Sequence, residues 1–284
     1  MRLEDYHTHN LLCNHAKGKL EDYVKKAINK KDLDLIGFSD HFPFEYLTDV
    51  DNLPHEEYAM RLNQIEGYLS AAKNLRKKYK NKIEIRIGFE IDYIENQTSQ
   101  LNLHLSKISS DLDYIIGSIH VLYSDHGVWG IDDSRFSKDF NAIGVDNVYL
   151  QYYSVLRDMI KNKDFDFDII GHFDLPKKFN QLPSIEFKER IEEEVSKTLE
   201  LAKERDIVIE VNTSGFRKEV KEQYPSESII KKMYELDIPT LLGSDSHDPN
   251  ELAYEFKNMI NTLKKIGYKQ LASFKRRKRS FIKI

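Results

Sequence analysis

Seven short apolar runs, separated by longer charged segments of helical period, constrain this chain more than any other feature of its sequence. The runs fall at 3–7, 33–39, 83–89, 114–119, 169–171, 207–211 and 240–243. Their aliphatic, β-branched character suits strands covered on both faces, as in a parallel sheet. Helical periodicity is strongest at 20–30, 55–79, 147–161, 187–204, 226–235 and 251–265. Ser226 follows Pro225 ahead of an amphipathic run, and Asp248-Pro249-Asn250 forms a turn before the last helix. Strands alternating with helices predict crossover connections and an α/β fold. No repeat, low-complexity linker or shift of composition divides the 284 residues, so residues 1–284 are expected to form one domain, a closed or nearly closed barrel.

Charge and cysteine content narrow the chemistry. With 32% charged residues and no long apolar run, the sequence predicts no membrane span; charges from Arg2 onward argue against a secretory signal, so a cytoplasmic protein is expected. A net charge of −4 gives no general reason to expect a nucleic-acid partner. The one basic cluster, Lys275-Arg276-Arg277-Lys278-Arg279, reads as a solvated tail. Cys13 is the single cysteine, which excludes an internal disulfide and leaves metal binding to histidine and carboxylate, with at most that one thiolate.

In barrels of parallel strands, functional groups gather at the strand C-termini. Here the runs end in His7-Thr8-His9, Ser39-Asp40-His41, Glu90, Ser118 with His120, His172, Asn212, and Ser244-Asp245-Ser246-His247. Alternate residues of an extended strand share a face, so His7 and His9 can meet one ion. Asp245-Ser246-His247 repeats that spacing on the last strand, the neighbour of the first in a closed barrel, which lets His7, His9 and Asp245 converge. Glu90 ends an apolar strand, where a lone buried carboxylate is costly and a cation removes the cost. Its two oxygens can bridge adjacent ions. His41, His120 and His172 follow strands in register with it. His15 lies in a loop on the same face, although spacing does not fix its direction; Cys13 beside it suits a small buried residue better than a ligand. His55, His104 and His126 lie away from strand ends and read as surface or structural.

Asp5-Tyr6-His7-Thr8-His9, His15, Ser39-Asp40-His41, Gly88-Phe89-Glu90, Gly117-Ser118-Ile119-His120, Gly171-His172-Phe173-Asp174 and Ser244-Asp245-Ser246-His247 together resemble the PHP (polymerase and histidinol phosphatase) superfamily. Chain length, Leu12-Cys13-Asn14-His15-Ala16 and Asn212-Thr213-Ser214-Gly215-Phe216-Arg217 are similar to its histidinol-phosphatase branch. The resemblance implies a distorted (βα)7 barrel of the TIM-barrel type with three divalent metal ions of zinc, manganese or iron. It assigns His7, His9, Glu90 and Asp245 to the first ion, Glu90, His120 and His172 to the second, and His15, His41 and His247 to the third.

The implied reaction is hydrolysis of a small phosphate monoester, L-histidinol phosphate before others, by a hydroxide bridging two metals. Arg217 is the candidate phosphate clamp. Asp40 and Asp174 are candidates to orient histidines, and Glu45, Asp49, Asp132 and Asp133 could form an acidic rim for a cationic substrate. A phosphodiesterase or nuclease of the same superfamily is the alternative, which the acidic charge balance opposes. An amidohydrolase, which also opens with His-x-His, fits Glu90, His15, His41 and His247 less well. A non-enzymatic metal-binding protein is the remaining reading, and would show closed coordination.

Overall fold

The seven apolar runs pair in a single sheet in the computed structural model of the chain, which describes residues 2–29, 33–47, 55–124 and 127–284. The strands are β1 (Glu4–Asp5), β2 (Leu35–Phe38), β3 (Glu84–Asp92), β4 (Tyr114–Ser118), β5 (Val121–Ser124), β6 (Gly127–Gly130), β7 (Ile169–Ile170), β8 (Val208–Asn212) and β9 (Thr240–Gly243). Their order is β1-β2-β3-β4-β7-β8-β9, parallel throughout, while β5 and β6 form a separate antiparallel hairpin after β4.

The seam between β9 and β1 closes just beyond the strands. Tyr6 N donates to Leu242 O (3.1 Å), His9 N to Ser246 O (2.9 Å), and Thr8 bridges Ser246 in parallel. Asp5 staples the seam. Its fully buried carboxylate accepts from Ser244 N (2.9 Å), Ser244 Oγ (2.6 Å) and Ala253 N (2.9 Å). Burial pushes this carboxyl's pKa up, and the donors that meet it offset part of that cost.

The connecting helices are α1 (Leu20–Asn29), α2 (Ile65–Tyr79), α3 (Thr98–Leu105), α4 (Ser137–Ile143), α5 (Val145–Lys161), α6 (Lys188–Glu204), α7 (Glu227–Glu235) and α8 (Phe256–Ile266). Two start later than their periodicity predicts. Ahead of α2, Asn14 Nδ2 donates to Glu56 O and Ala59 O, and Glu45 accepts from Leu62 N, so the preceding segment is tied into 3-10 turns. Ahead of α8, Ala253 and Glu255 have φ of 49° and 57°, left-handed values that interrupt a helix. Lys30, the expected end of the first helix, lies outside the described residues.

Period-2 alternation sorts the strand residues into two cores. Ile36, Ile115, Ile170, Ile209 and Leu242 face the helices, whereas Leu35, Tyr114, Ile116, Ile169, Val208 and Leu241 fill the barrel interior with Tyr6. Tyr114 crosses the interior, donating to Tyr6 O at 2.6 Å, and a side chain on Gly37 or Gly88 would collide with its ring or hydroxyl.

The basic tail is folded rather than solvated, which corrects the expectation from charge alone. Strands β10 (Gln270–Lys275) and β11 (Lys278–Lys283) form a hairpin with Arg276 and Arg277 at its tip, both at positive φ. The turn lacks the usual Asn-Gly and is held by acceptors on the barrel. Arg276 N donates to Asp113 Oδ1 (3.0 Å), and the Arg277 guanidinium pairs with Asp166 and Asp168. Ala272 and Phe274 complete the interior core; Phe274 N donates to Tyr6 Oη (2.8 Å) and Arg86 Nε to Phe274 O (2.7 Å). The hairpin therefore seals the end of the barrel opposite the strand C-termini.

Phe274 is 4% exposed and Phe281, on the other hairpin strand, is 46% exposed. Phe274→Ala should lower unfolding stability by about 3–5 kcal/mol, and Phe281→Ala should change it by about 0.5 kcal/mol or less. Urea denaturation measures both; equal effects would contradict a sealing role.

Candidate metal centre

The inward face of the strands turns polar at their C-terminal ends. On β3 the inward series runs Arg86, Gly88, Glu90, Asp92; on β4 it ends in Ser118 and on β8 in Glu210 and Asn212. The polar layer thus lies directly above the apolar interior. Glu90, fully buried, is its centre. Its Oε2 lies 3.2 Å from His7 Nε2, 3.4 Å from His9 Nε2 and 3.2 Å from His41 Nδ1. Its Oε1 lies 2.8 Å from His172 Nε2, 3.6 Å from His120 Nε2 and 2.6 Å from Ser118 Oγ. Asp245 Oδ1 lies 3.2 Å from His9 Nε2 and 3.5 Å from His247 Nδ1. The structure brings together the eight donors expected at the strand ends and the loop residue His15, whose Nε2 is 3.0 Å from His247 Nε2.

The protons on these rings can be assigned from their other nitrogens. His15 Nδ1 faces Cys13 O (2.8 Å) and Glu57 O (3.0 Å), and His247 Nδ1 faces Asp245 O (3.1 Å). Carbonyl oxygens only accept, so both Nδ1 atoms carry hydrogen and both Nε2 atoms present lone pairs to each other. Lone pair against lone pair is repulsive at 3.0 Å without positive charge between them. His7 Nε2, both nitrogens of His9 and His41 Nδ1 are buried without a hydrogen-bond partner among the described residues. Burial opposes charge on His7, yet Glu210, Glu90 and Asp245 hold its pKa well above the usual value. Burial and the neighbouring His9 push His41 and His247 well below theirs. The carboxylates demand positive charge that these two imidazoles resist taking up as protons. Divalent cations satisfy both conditions, and a set of imidazoles and carboxylates suits first-row ions.

Two carboxylates hydrogen-bond to ring nitrogens and a third lies beside one. Glu210, fully buried, receives His7 Nδ1 at 2.9 and 3.0 Å, His172 N at 2.9 Å and Asn212 Nδ2 at 2.8 Å. Asp92 faces His120 Nδ1 with both oxygens at 3.1 Å. Asp40 lies 3.5 Å from His9 Nδ1, in the position expected of an orienting group. Glu210 and Asp92 escaped the sequence reading. Their signals were a single acid inside the apolar run Val208-Ile209-Glu210-Val211 and an acid two residues after Glu90, on the same strand face. Asp174 stands apart from the rings: it pairs with Lys177 Nζ (3.0 Å) and accepts from Ser226 N (2.9 Å), fixing the entry to α7.

A cavity of about 610 Å³ opens over the donors. Arg217 is absent from its lining. The guanidinium instead donates to Ser244 O (2.8 Å) and Asp245 O (3.0 Å) and pairs with Glu251, bracing the loop that carries Asp245. Lys178 and Lys218 line the cavity, as do Asp132 and Asp133 of the expected acidic rim. Asp132 pairs with Lys178 (2.9 Å) and Asp133 with Arg135 (2.7 Å). Glu45 lies outside the lining, bound to Leu62 N, and Asp49 and His126 lie outside the described residues.

The PHP domain family model matches residues 5–214. A probable histidinol-phosphatase of Deinococcus radiodurans is 29% identical over 275 residues, covering 96% of this chain and 97% of that protein. The histidinol-phosphatase of Bacillus subtilis is 29% identical over 267 residues, covering 92% and 99%. Among solved structures, a Listeria monocytogenes protein provisionally named a histidinol phosphatase superposes with a TM-score of 0.82 at 28% identity, over 90% of this chain and 99% of its own. Histidinol phosphate phosphatase of Lactococcus lactis, crystallised with zinc, L-histidinol and phosphate, shares the fold with a TM-score of 0.80 at 22% identity, over 98% of each chain.

Asp92→Ala and Glu210→Ala should each weaken metal retention against a competing chelator by about 10–100-fold. Asp174→Ala should lower stability by about 1–3 kcal/mol, because Ser226 N loses its acceptor and Lys177 keeps only Glu222 and Gln223 O, with metal affinity unchanged. Equal retention in all three would remove the orienting role given to Asp92 and Glu210.

Proposed function

This chain belongs to the PHP domain family, and from that membership we propose that it is a phosphoric monoester hydrolase that converts L-histidinol phosphate to L-histidinol and phosphate, a step of histidine biosynthesis. The observation that carries the reading is the convergence of nine imidazole and carboxylate donors under one open cavity. A purely structural metal site would enclose its ion, whereas six of these donors, His15, His41, His120, His172, Asp245 and His247, line a space large enough for a small ester. Relatives named histidinol-phosphatase align along almost the whole chain, which favours residues 1–284 acting as one catalytic unit.

We assign His7, His9, Glu90 and Asp245 to one ion, Glu90, His120 and His172 to a second, and His15, His41 and His247 to a third, with zinc, manganese or iron as the occupants. When bound, such ions neutralise phosphoryl oxygens and make water acidic enough to ionise near neutral pH. The chain's own residues do the rest. Glu90 presents one oxygen to each side of the cluster, and Glu210, Asp92 and Asp40 hold the rings of His7, His120 and His9 so that the other nitrogens face inward. Phe44, Tyr58 and Phe179 give the cavity aromatic walls that suit a planar imidazole, while Glu57, Asp132 and Asp133 supply negative charge near a substrate amine. The apolar layer beneath keeps bulk water from reaching the donors through the barrel.

Purified protein reconstituted with Mn²⁺ or Zn²⁺ should release phosphate from L-histidinol phosphate, and chelation should abolish release until metal is restored. His9→Ala should reduce turnover by about 100-fold or more, since it removes a ligand. The gene should restore growth of a histidine auxotroph lacking this step. Undiminished activity in the variant, or failure to complement despite soluble metal-loaded protein, would overturn the assignment.

A further inference from the structure

Three cationic side chains line the cavity, and two are neutralised. Arg135 pairs with Asp133 and with Glu57 (both 2.7 Å), and Lys178 Nζ meets the Asp132 carboxylate (2.9 Å) and Asp132 O (2.7 Å). The third, Lys218, is half-buried, and its ammonium has no hydrogen bond or ion pair among the described residues. Its backbone is well fixed. Lys218 N donates to Gly215 O (3.0 Å) at the end of the turn Ser214–Arg217. Within that turn Ser214 Oγ donates to Asp245 Oδ2 (3.0 Å), and Arg217 binds the carbonyls of Ser244 and Asp245. One braced element therefore carries both the support of a candidate metal ligand and an ammonium on the cavity wall that no side chain pairs directly among the described residues.

We propose that Lys218 is the catalytic acid of the reaction, giving a proton to the ester oxygen as it leaves phosphorus. The inference rests on the phosphomonoesterase reading above. As a water oxygen bonds to phosphorus, the P–O bond to the alcohol breaks and its electron pair goes to the leaving oxygen. That oxygen takes a proton from Lys218 Nζ, leaving a neutral amine and the alcohol. The attacking water keeps one proton as part of hydrogen phosphate and releases the other to solvent, from which the amine is recharged. The total is ester dianion plus water giving alcohol plus hydrogen phosphate.

The other groups around the cavity suit this task less well. Burial opposes ionisation of Asp132, but Lys178 and His120 hold its carboxyl well below the usual range, and Arg135 and Tyr58 do the same for the partly buried Asp133, so neither carries a proton at neutral pH. Burial pushes the phenols of Tyr58 and Tyr224 far up, which makes them poor acids. Lys178 is committed to Asp132. For Lys218, burial and the nearby Lys178 push the ammonium down against the opposing pull of Asp245 and Asp132, the direction that makes it a better acid.

The leaving group decides the test. An aliphatic alkoxide such as that of L-histidinol needs a proton, whereas p-nitrophenolate departs without one. With metal-loaded protein, Lys218→Met should lower kcat on L-histidinol phosphate by about 10²–10⁴-fold, and the loss on p-nitrophenyl phosphate should be at least about thirtyfold smaller. Lys218→Arg should show the same selective loss, because a guanidinium keeps the charge and holds its proton. Unchanged metal content and melting temperature would place the effect in chemistry rather than folding. Equal losses on both esters that arginine restores would overturn the proposal in favour of simple phosphate binding, and no loss on either would overturn it outright. A wild-type enzyme inactive on both esters would instead sink the phosphatase reading and this proposal with it.

Discussion

Positive charge between Glu90 and the rings around it is the condition on which the upper half of this barrel depends. Five imidazoles approach the two Glu90 oxygens within 3.6 Å, and a sixth and seventh meet nitrogen to nitrogen at 3.0 Å. Apolar side chains packed in this way would favour folding, whereas buried rings and carboxylates need positive charge among them, as protons or as cations, before their burial ceases to oppose it. The rest of the chain has to be stable enough to hold that arrangement open.

That stability is supplied below. Along the barrel axis, an apolar layer of Tyr114, Ile116, Ile169, Val208 and Leu241 separates the donors from the hairpin that closes the far end. Tyr114 fills the interior only because Gly37 and Gly88 leave it room, and Tyr6 links it to the hairpin through a chain of hydrogen bonds. The β9–β1 seam, where His7, His9 and Asp245 meet, is held by Asp5 through donors from Ser244 and Ala253. Geometry at the ligands is thus inherited from groups that never touch an ion.

The convergence of these donors was legible in the sequence because strand ends, unlike loops, have a predictable side: a barrel forces residues that follow successive strands to one mouth. Loops and neighbouring residues are harder to read. Arg217 and Lys218 are adjacent cations, and spacing gives no means of telling which enters the cavity. The 3-10 turn decides it, aiming the guanidinium at two carbonyls and leaving the ammonium facing the cavity. The hairpin was hidden for a related reason. Its turn residues are arginines at positive φ, tolerated only because Asp113, Asp166 and Asp168 on distant elements receive them. Glu210 was visible as an acid in an apolar strand, but its partner His7 lies 203 positions away, and only the closed barrel brings them together.

A net charge of −4 does not by itself favour a dianionic ester, yet the overall balance says little about the cavity. Each rim acid among Glu57, Asp132 and Asp133 has a cationic partner, and much of the remaining surface charge sits in pairs such as Lys197 with Glu193 and Lys231 with Glu227. What an entering phosphate meets is set by the ions the donors hold and by Lys218, whose ammonium has no direct ion pair among the described residues. Glu57 and Asp133 share the single guanidinium of Arg135, so that part of the wall keeps a net negative charge, and the sign a substrate meets is decided by such local sums rather than by the charge of the whole chain.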